Sequence, residues 1–160
     1  MEAKTTVIPD IRNVILNGDF SAWTDDNPDD WEKTGESPPI REVSEVGAGE
    51  GHGGSGTGLC NLYTSDGDII QIFQTVTLVV GKKYKVSINI DTVIAGGVLF
   101  FDYPTAMFDS QEYTTTGVKS FTFIATGTAL ALYIQRLTDE PTDVTIDDVS
   151  IKPVRQALPL

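Results

Sequence analysis

The residues Lys83 to Asp91 read Lys-Tyr-Lys-Val-Ser-Ile-Asn-Ile-Asp, and this stretch decides the fold class of the chain. Large apolar side chains occupy every second position, at Tyr84, Val86, Ile88 and Ile90, and polar or charged side chains separate them. Successive side chains of a β-strand point to opposite faces of the sheet. The stretch therefore predicts an antiparallel strand with one buried face and one solvated face.

The same period of two recurs along the chain, whereas helical periodicity is nearly absent. Glycine turns such as Asp66-Gly67, Gly81 and Gly96-Gly97 separate the runs. Many strands at this spacing without helices between them predict an all-β fold, namely an antiparallel two-sheet β-sandwich with jelly-roll topology. The other predicted strands are Asp68 to Val80, Val93 to Tyr103, Val118 to Thr126, Ala129 to Arg136 and Asp143 to Lys152, with weaker ones at Asn13 to Asn17, Trp31 to Thr34, Ile40 to Val46 and Leu59 to Thr64.

The strand pattern divides the chain into one domain and two short ends. We expect the sandwich to occupy residues 13–152, between an N-terminal arm of residues 1–12 and a C-terminal tail of residues 153–160. The glycine-dense stretch Gly47 to Gly58 lacks the Gly-Lys-Ser/Thr ending of a phosphate-binding loop, so it is predicted to be a flexible surface loop. Both ends carry apolar residues without a strand pattern, which favours docking onto a neighbouring subunit of a homo-oligomer.

The charge balance argues against a nucleic-acid partner. The 160 residues carry 23 acidic and 11 basic side chains, a formal net charge of −12, whereas a phosphate backbone is recognised by clustered lysine and arginine. No run approaches the 18 apolar residues of a membrane span, so no membrane partner is expected. The first nine residues lack the apolar core of a signal peptide, and we therefore expect synthesis in the cytoplasm without export by the secretory route.

The chain offers little for catalysis. His52 is the one histidine and lies in the glycine-rich stretch, where a triad geometry is difficult to hold. The single cysteine, Cys60, follows an apolar pattern and is predicted to be a buried small residue. The acidic cluster from Asp25 to Glu32 is rich in turn formers, and a solvated loop is favoured over a pair of hydrolytic carboxylates. We therefore expect no enzyme.

Two short segments near the ends of the chain carry a resemblance to a known family. The first is Asn17-Gly18-Asp19-Phe20, followed by Trp23 and Trp31, and the second is Val144 to Ile151, which reads Val-Thr-Ile-Asp-Asp-Val-Ser-Ile. In this order, with strand-like runs between them, they resemble a carbohydrate-binding module of the galactose-binding-like β-sandwich type. The resemblance covers about residues 13–152 and implies a protein that binds sugars and performs no covalent chemistry. Trp31 is predicted to be a core residue, whereas Trp23 fits either the core or a loop-tip platform.

The resemblance also implies a structural calcium ion. Strict alternation places Asp148 on the face of Val144 and Ile146, which would direct its carboxylate toward the core, where a charge needs a partner. In the resembled family the aspartate of the last strand ligates calcium, with Asp148 as the matching residue here, or Asp147 if a bulge shifts the register, and Asp19 as the second ligand. Ser21 stands where the family commonly has glutamate. The alternative is that Asp148 accepts hydrogen bonds at the end of a sheet.

The candidate ligand-binding residues are outward positions of the predicted strands. Sugars are held by aromatic rings that stack on C–H faces and by amides and carboxylates that bond the hydroxyls. In the resembled family the ligand lies on a concave sheet face or at loop tips. Two aromatic and three amide side chains on strands expected to be neighbours fit that chemistry, although such residues are also ordinary on half-exposed strands: Gln71, Phe73, Asn89, Tyr133 and Gln135.

The sequence thus predicts a non-catalytic β-sandwich module for binding or scaffolding. Short chains with this pattern resemble bacteriophage virion proteins, which implies a capsid decoration or tail-associated component, located in the virion, with possible polysaccharide binding. Its expected partners are further copies of the chain or other capsid proteins. The alternative is a bacterial carbohydrate-binding module that acts as an adhesin or as the accessory of an enzyme.

Overall fold

The computed structural model describes residues 12–25, 27–46 and 58–155. Within these ranges the regular structure consists of strands, and no helix is present. The strands are β1 (Trp23–Thr24), β2 (Asn27–Pro28), β3 (Glu32–Thr34), β4 (Arg41–Glu45), β5 (Cys60–Thr64), β6 (Gln71–Thr77), β7 (Lys83–Ala95), β8 (Val98–Asp102), β9 (Gln111–Tyr113), β10 (Gly117–Ile124), β11 (Ala129–Arg136) and β12 (Thr142–Pro153).

Two five-stranded sheets form the sandwich, and β1 and β2 form a separate small hairpin. Sheet I has the order β10-β7-β12-β5-β4, and sheet II has the order β3-β6-β11-β8-β9. All neighbouring strands are antiparallel. The chain crosses between the sheets at β3–β4, β5–β6, β6–β7, β7–β8, β9–β10, β10–β11 and β11–β12. The predicted fold class, an antiparallel two-sheet sandwich of jelly-roll type, is confirmed.

The core lies between the sheets and is built by the alternation seen in the sequence. On β7, the predicted inward set Tyr84, Val86, Ile88 and Ile90 is at most 3% exposed. Sheet II contributes the equivalent alternate positions of β6, where Ile72 is fully buried. Removing one such side chain from water is worth about 1.5–3 kcal/mol, which makes the two apolar faces the dominant stabilising feature.

Both tryptophans belong to the core. Trp31 is 5% exposed, packs against Phe20 at a ring-centroid distance of 5.5 Å, and donates its indole N–H to the carbonyl of Asn17. Trp23 is 9% exposed and donates its indole N–H to the carbonyl of Phe20 at 2.7 Å. The core prediction for Trp31 is confirmed, and of the two alternatives for Trp23 the core position is the one observed.

Several strand boundaries differ from the predictions. The run Val93 to Tyr103 is divided by a turn at Gly96-Gly97 into the end of β7 and β8. The run Asp68 to Val80 is a strand only over Gln71–Thr77, and one further backbone bond, from the N–H of Leu78 to the Thr128 carbonyl, follows its last pair. The short strands β1, β2 and β9 were not predicted, since two or three residues show no alternation.

The predicted strand Asn13 to Asn17 is not a strand, although it fills the place of one. β5 begins at Cys60, so the second half of β12 has no β5 partner on that side. The N–H of Val14 bonds to the Ile151 carbonyl at 2.9 Å, and the N–H of Val149 bonds to the Gly18 carbonyl at 2.8 Å. Gly18 lies so close to β12 that a β-carbon there would be 2.0 Å from the Val149 carbonyl oxygen.

Some predictions fall outside the described residues. These are most of the N-terminal arm, the last five residues of the tail, Asp26, and residues 47–57 of the glycine-rich stretch with His52. Within the described ranges, no helix has the length and apolarity needed to cross a bilayer.

Candidate functional site

A row of three aromatic rings crosses the outer face of sheet II. Phe73 on β6 is paired with Tyr133 on β11, which is paired with Phe101 on β8. The ring centroids are 4.7 Å apart for Phe73 and Tyr133 and 4.9 Å apart for Tyr133 and Phe101, with interplanar angles of 19° and 14°. These distances equal the spacing of neighbouring strands, so the rings stand on edge and stack face to face. We call this row the aromatic ladder.

The ladder determines which ring surfaces are available to a ligand. Both faces of Tyr133 are covered by its neighbours, whereas Phe73 and Phe101 are covered by a ring on one side only. The phenol oxygen of Tyr133 has no hydrogen-bond partner among the described residues. A sugar ring can therefore stack on the outer side of Phe101, whereas on the outer side of Phe73 it shares the space with Glu32, the residue paired with Phe73 on β3, and Tyr133 offers its hydroxyl group.

A row of two amide side chains runs beside the aromatic ladder. It lies two residues before Phe73 on β6 and two residues after Tyr133 on β11. Gln71 on β6 is paired with Gln135 on β11. Gln71 donates from Nε2 to the Thr34 hydroxyl at 2.8 Å, which fixes its orientation. The amide of Gln135 has no side-chain partner in the described part of the chain. Aromatic and amide rows thus lie side by side on one face, as the sequence predicted for these four residues.

A depression of about 530 Å³ borders the free side of Phe73. Its lining combines the ring of Phe73 with the carboxylate-bearing Asp30 and Glu32, the hydroxyl-bearing Thr75, and Leu16, which is 59% exposed. Apolar and hydrogen-bonding groups therefore meet beside Phe73.

Gln74 holds the wall of this depression in place. Its side chain is 7% exposed and points into the core, opposite to Phe73 and Thr75. The Gln74 side chain accepts from the Leu16 N–H at 2.8 Å and donates to the carbonyls of Leu16 at 3.0 Å and Asp30 at 2.9 Å. Three bonds from one buried amide anchor two loop segments to β6, and both segments line the depression.

Asn89 does not belong to this face. It lies on β7 in sheet I, so the prediction that it neighbours the other four ligand-binding candidates is wrong. The physical reason is the crossover of the chain from sheet II to sheet I between β6 and β7. Alternation along a strand gives the face of a residue but does not give the sheet to which the strand belongs.

The predicted metal-binding residues lie in a second depression, on the outer side of sheet I. This space of about 690 Å³ is lined by Asp19, Asp148 and Asn89, together with residues of the N-terminal segment and of β7, β10 and β12. Asp19 is exposed, and its Oδ1 accepts from the Ser21 hydroxyl at 2.9 Å. The sequence thus placed Asp19 and Asp148 correctly in one region.

The predicted inward direction of Asp148 is wrong. A bulge interrupts β12 between Asp147 and Ser150, where the pairing with β7 shifts its register. Asp148 takes a left-handed backbone conformation with φ of 50°, and its side chain is exposed, while Val149 takes the inward position. The register shift that the sequence left open as an alternative is therefore observed.

Asp147 is the more enclosed of the two carboxylates at the bulge. Its Oδ1 accepts from the Asp148 N–H at 2.6 Å. Burial raises the pKa of Asp147, and the negative charges of Asp148, Asp19 and Asp91 raise it further, against the lowering effect of that hydrogen bond. Four carboxylates therefore repel one another across this part of sheet I.

These carboxylates do not make a complete metal centre. Within the described residues, no group of three or more histidine, cysteine, aspartate or glutamate side chains is arranged to hold a metal ion. The carbonyl of Gly18 already accepts a backbone hydrogen bond from Val149. Calcium therefore stays a prediction, and these side chains alone do not fit it. Burial raises the pKa of the Cys60 thiol, so this buried residue stays protonated and offers no thiolate ligand.

Phe101 is the functional candidate that sequence reasoning missed. The run Val98 to Asp102 contains Phe100, which is fully buried, and Phe101, which is half-buried and points outward. Alternation from Phe100 would have marked Phe101 as outward. Its position beside Tyr133 depends on the pairing of β8 with β11, which alternation does not give.

Comparisons with known proteins agree with this architecture. No protein-family profile and no curated protein matches the sequence. Among solved structures, the chain is similar to one titled "CBM4 structure and function", with 19% identity, a TM-score of 0.61, and coverage of 88% of this chain and 99% of that one. It is also similar to TmCBM61 in complex with β-1,4-galactotriose, with 19% identity, a TM-score of 0.55, and coverage of 88% and 97%.

A third similar structure comes from a virus. The enzymatically active domain of tailspike protein 4 of bacteriophage CBA120 matches with 15% identity and a TM-score of 0.62. The match covers 89% of this chain but 21% of the tailspike chain. At these identities the likenesses show the fold, which is that of carbohydrate-binding modules.

Proposed function

We propose that this protein is a non-catalytic module that binds a glycan on the outer face of sheet II. The observation that carries the proposal is the aromatic ladder beside the amide row, in which the Gln135 amide and the Tyr133 hydroxyl have no hydrogen-bond partner among the described residues. Polar groups that make no bond within the protein are free to bond the hydroxyls of a ligand, and a half-buried ring supplies the apolar contact.

The free side of Phe73 is the stacking position, because it borders the depression lined by Glu32 and Thr75. A sugar ring placed there lies within reach of the Thr75 hydroxyl and the Glu32 carboxylate. The next sugar of the same glycan extends toward Tyr133 and Gln135. One stacking contact and a few hydrogen bonds of about 0.5–1.5 kcal/mol each sum to about 2–6 kcal/mol before the entropic cost of association, so we expect a Kd of about 0.1 mM or higher. The module is thus a weak binder.

Affinity electrophoresis through gels that contain soluble polysaccharides tests the proposal. The wild-type protein is expected to be retarded by at least one neutral polysaccharide, and the variants Phe73→Ala and Gln135→Ala are expected to lose at least ten-fold in affinity. Tyr63→Ala is the matched control, since Tyr63 is a half-buried aromatic residue on β5 in the other sheet. Equal retardation of all four proteins, or no retardation by any polysaccharide in a broad panel, would refute glycan binding by this face.

A second candidate function is a structural role in a bacteriophage virion, as a capsid decoration or tail-associated protein. The similar fold within a phage tailspike supports it. In that setting the protein is located in the virion and its partners are other virion proteins, whereas the alternative is a bacterial adhesin or enzyme accessory. Co-purification of the protein with intact particles supports the virion role, and its absence from purified particles counts against it.

A further inference from the structure

The outer face of sheet I carries positive charge at one end. Lys83 and Lys85 point outward from the start of β7, and Lys152 at the end of β12 is paired directly with Lys85. None of these three lysines has an ion-pair partner among the residues that the structure describes. In a chain with 11 basic residues and a net charge of −12, three unpaired lysines side by side are a strong local exception. We call them the basic end.

The other end of the same face is negative. Asp91 points outward six residues after Lys85 on β7, and Asp147 and Asp148 occupy the bulge of β12. Asp147 is paired with Asn89, two residues before Asp91 on β7, so the three carboxylates lie close together on this part of the face. We call these three aspartates the acidic end.

Uncharged residues separate the two ends. Ser87 on β7 is paired with Ser150 on β12 and with Ser120 on β10. Val118 is the next outward residue of β10 toward the acidic end, and it is 73% exposed. The outer side of β10, β7 and β12 is therefore a bipolar face, with lysines at one end, serines across the middle and aspartates at the other end.

We propose that the bipolar face binds a second copy of this chain, related by a two-fold axis through the serine row. Such an axis inverts the order of charges, so the basic end of each copy meets the acidic end of the other. Lys83 and Asp91 are separated by eight residues of strand, about 26 Å, with Ser87 of the serine row midway between them. A rotation about that midpoint therefore brings Lys83 of one copy over Asp91 of its partner, and it brings Lys85 and Lys152 over the row of Asp147.

The charge order argues against other occupants. A purely anionic partner is repelled by the acidic end, and a purely cationic one is repelled by the basic end. A second copy carries both charges in the required order, and these local contacts act against the repulsion between two copies that each carry a net charge of −12. Three strands over about seven residues cover about 320 Å², which is below the roughly 800 Å² per partner of a standard interface. The dimer is accordingly weak.

The dimer carries two glycan-binding faces. This consequence rests on the proposed function, whereas the dimer itself does not depend on glycan binding. Sheet II lies on the opposite side of the sandwich from the bipolar face, so the two aromatic ladders of a dimer face away from each other. Two weak sites on one particle can join two glycan chains, or bind one surface with higher avidity than a single site.

Charge reversal with mixing tests the dimer, measured by sedimentation velocity without any glycan. Lys85→Glu with Lys152→Glu reverses two of the three charges of the basic end, and Asp91→Lys with Asp148→Lys reverses two of the three charges of the acidic end. We expect the wild-type protein to dimerise, each double variant alone to associate at least ten-fold more weakly, and an equimolar mixture of the two variants to form a 1:1 dimer. Circular dichroism verifies folding, and Asp91→Lys alone replaces the second variant if the bulge substitution unfolds it.

A matched control changes the same charge elsewhere. Glu32→Lys with Glu112→Lys shifts the net charge by the same amount on the outer side of sheet II, and it should leave dimerisation unchanged. A mixture that stays monomeric up to about 1 mM would overturn the proposal. A variant that dimerises as well as the wild-type protein, or a control that abolishes the dimer, would also overturn it. Because no glycan is present, failure here leaves the glycan experiment unaffected.

Discussion

The two outer faces of the sandwich differ in chemistry, although the two inner faces are alike. Both sheets direct fully buried aliphatic side chains inward, as with Ile72 in sheet II and Ile146 in sheet I. Outward, sheet II carries stacked rings and amides, whereas sheet I carries lysines, serines and aspartates. Folding requires only the inner pattern, so the outer positions are free to differ, and the difference between them indicates separate functions.

The largest expected effect tests the equivalence of the inner faces. Ile72→Ala and Ile146→Ala should each lower the free energy of unfolding by about 2–5 kcal/mol, because both isoleucines are fully buried and leave a cavity. Ile94, which is 73% exposed, is the control, and Ile94→Ala should change stability by less than about 0.5 kcal/mol. Chemical denaturation measures all three. A difference above about 2 kcal/mol between the two buried sites would show that the sheets do not contribute equally.

A smaller effect separates the outer faces. Tyr133→Ala should lower the free energy of unfolding by about 1–3 kcal/mol more than Tyr63→Ala, because Tyr133 stacks on two rings and each such pair is worth about 0.5–1.5 kcal/mol. Tyr63 has no ring contact among the described residues. Tyr133→Phe keeps the stack and should retain the stability. Equal losses for both alanine variants in thermal unfolding would show that the aromatic ladder does not stabilise sheet II.

The smallest effect concerns the acidic end. The pKa of Asp147 is raised in the folded state relative to the unfolded state. Its ionisation therefore lowers the free energy of unfolding as the pH rises from the unfolded pKa through the folded pKa, and its protonation restores that free energy as the pH falls back toward the unfolded pKa. Asp147→Asn keeps an acceptor for the Asp148 N–H and removes the charge. At pH 7 it should stabilise the fold by about 0.5 kcal/mol after solvent screening, and the gain should vanish near pH 4. A gain that is constant from pH 7 to pH 4 would contradict this account.

Sequence reasoning predicted the inner faces well and the outer surfaces in part. The inward positions of β7 follow directly from alternation, since one face must exclude water. Alternation also placed Gln71, Phe73, Tyr133 and Gln135 on outer faces, and β6 and β11 do lie side by side. It could not show that Asn89 belongs to the other sheet, because strand order depends on contacts between distant segments.

The bulge of β12 shows a second limit. Ile146 and Val149 both point inward although three positions separate them, so strict alternation assigned Asp148 to the wrong face. The bulge coincides with the tight fit of the N-terminal segment against Val149, which involves residues more than 130 positions apart. A local pattern contains no information about such a contact.

The close contact between Gly18 and Val149 has a consequence for biosynthesis. The backbone of Val14 and Gly18 bonds to the second half of β12, at Ile151 and Val149, while that of Leu16 bonds to the side chain of Gln74. On the ribosome β12 is made after all the other strands of the sandwich, so the backbone groups of Val14 and Gly18 bond to water until β12 has emerged. The sandwich therefore closes only after β12 has been synthesised, and a chaperone can meet this early segment before it docks.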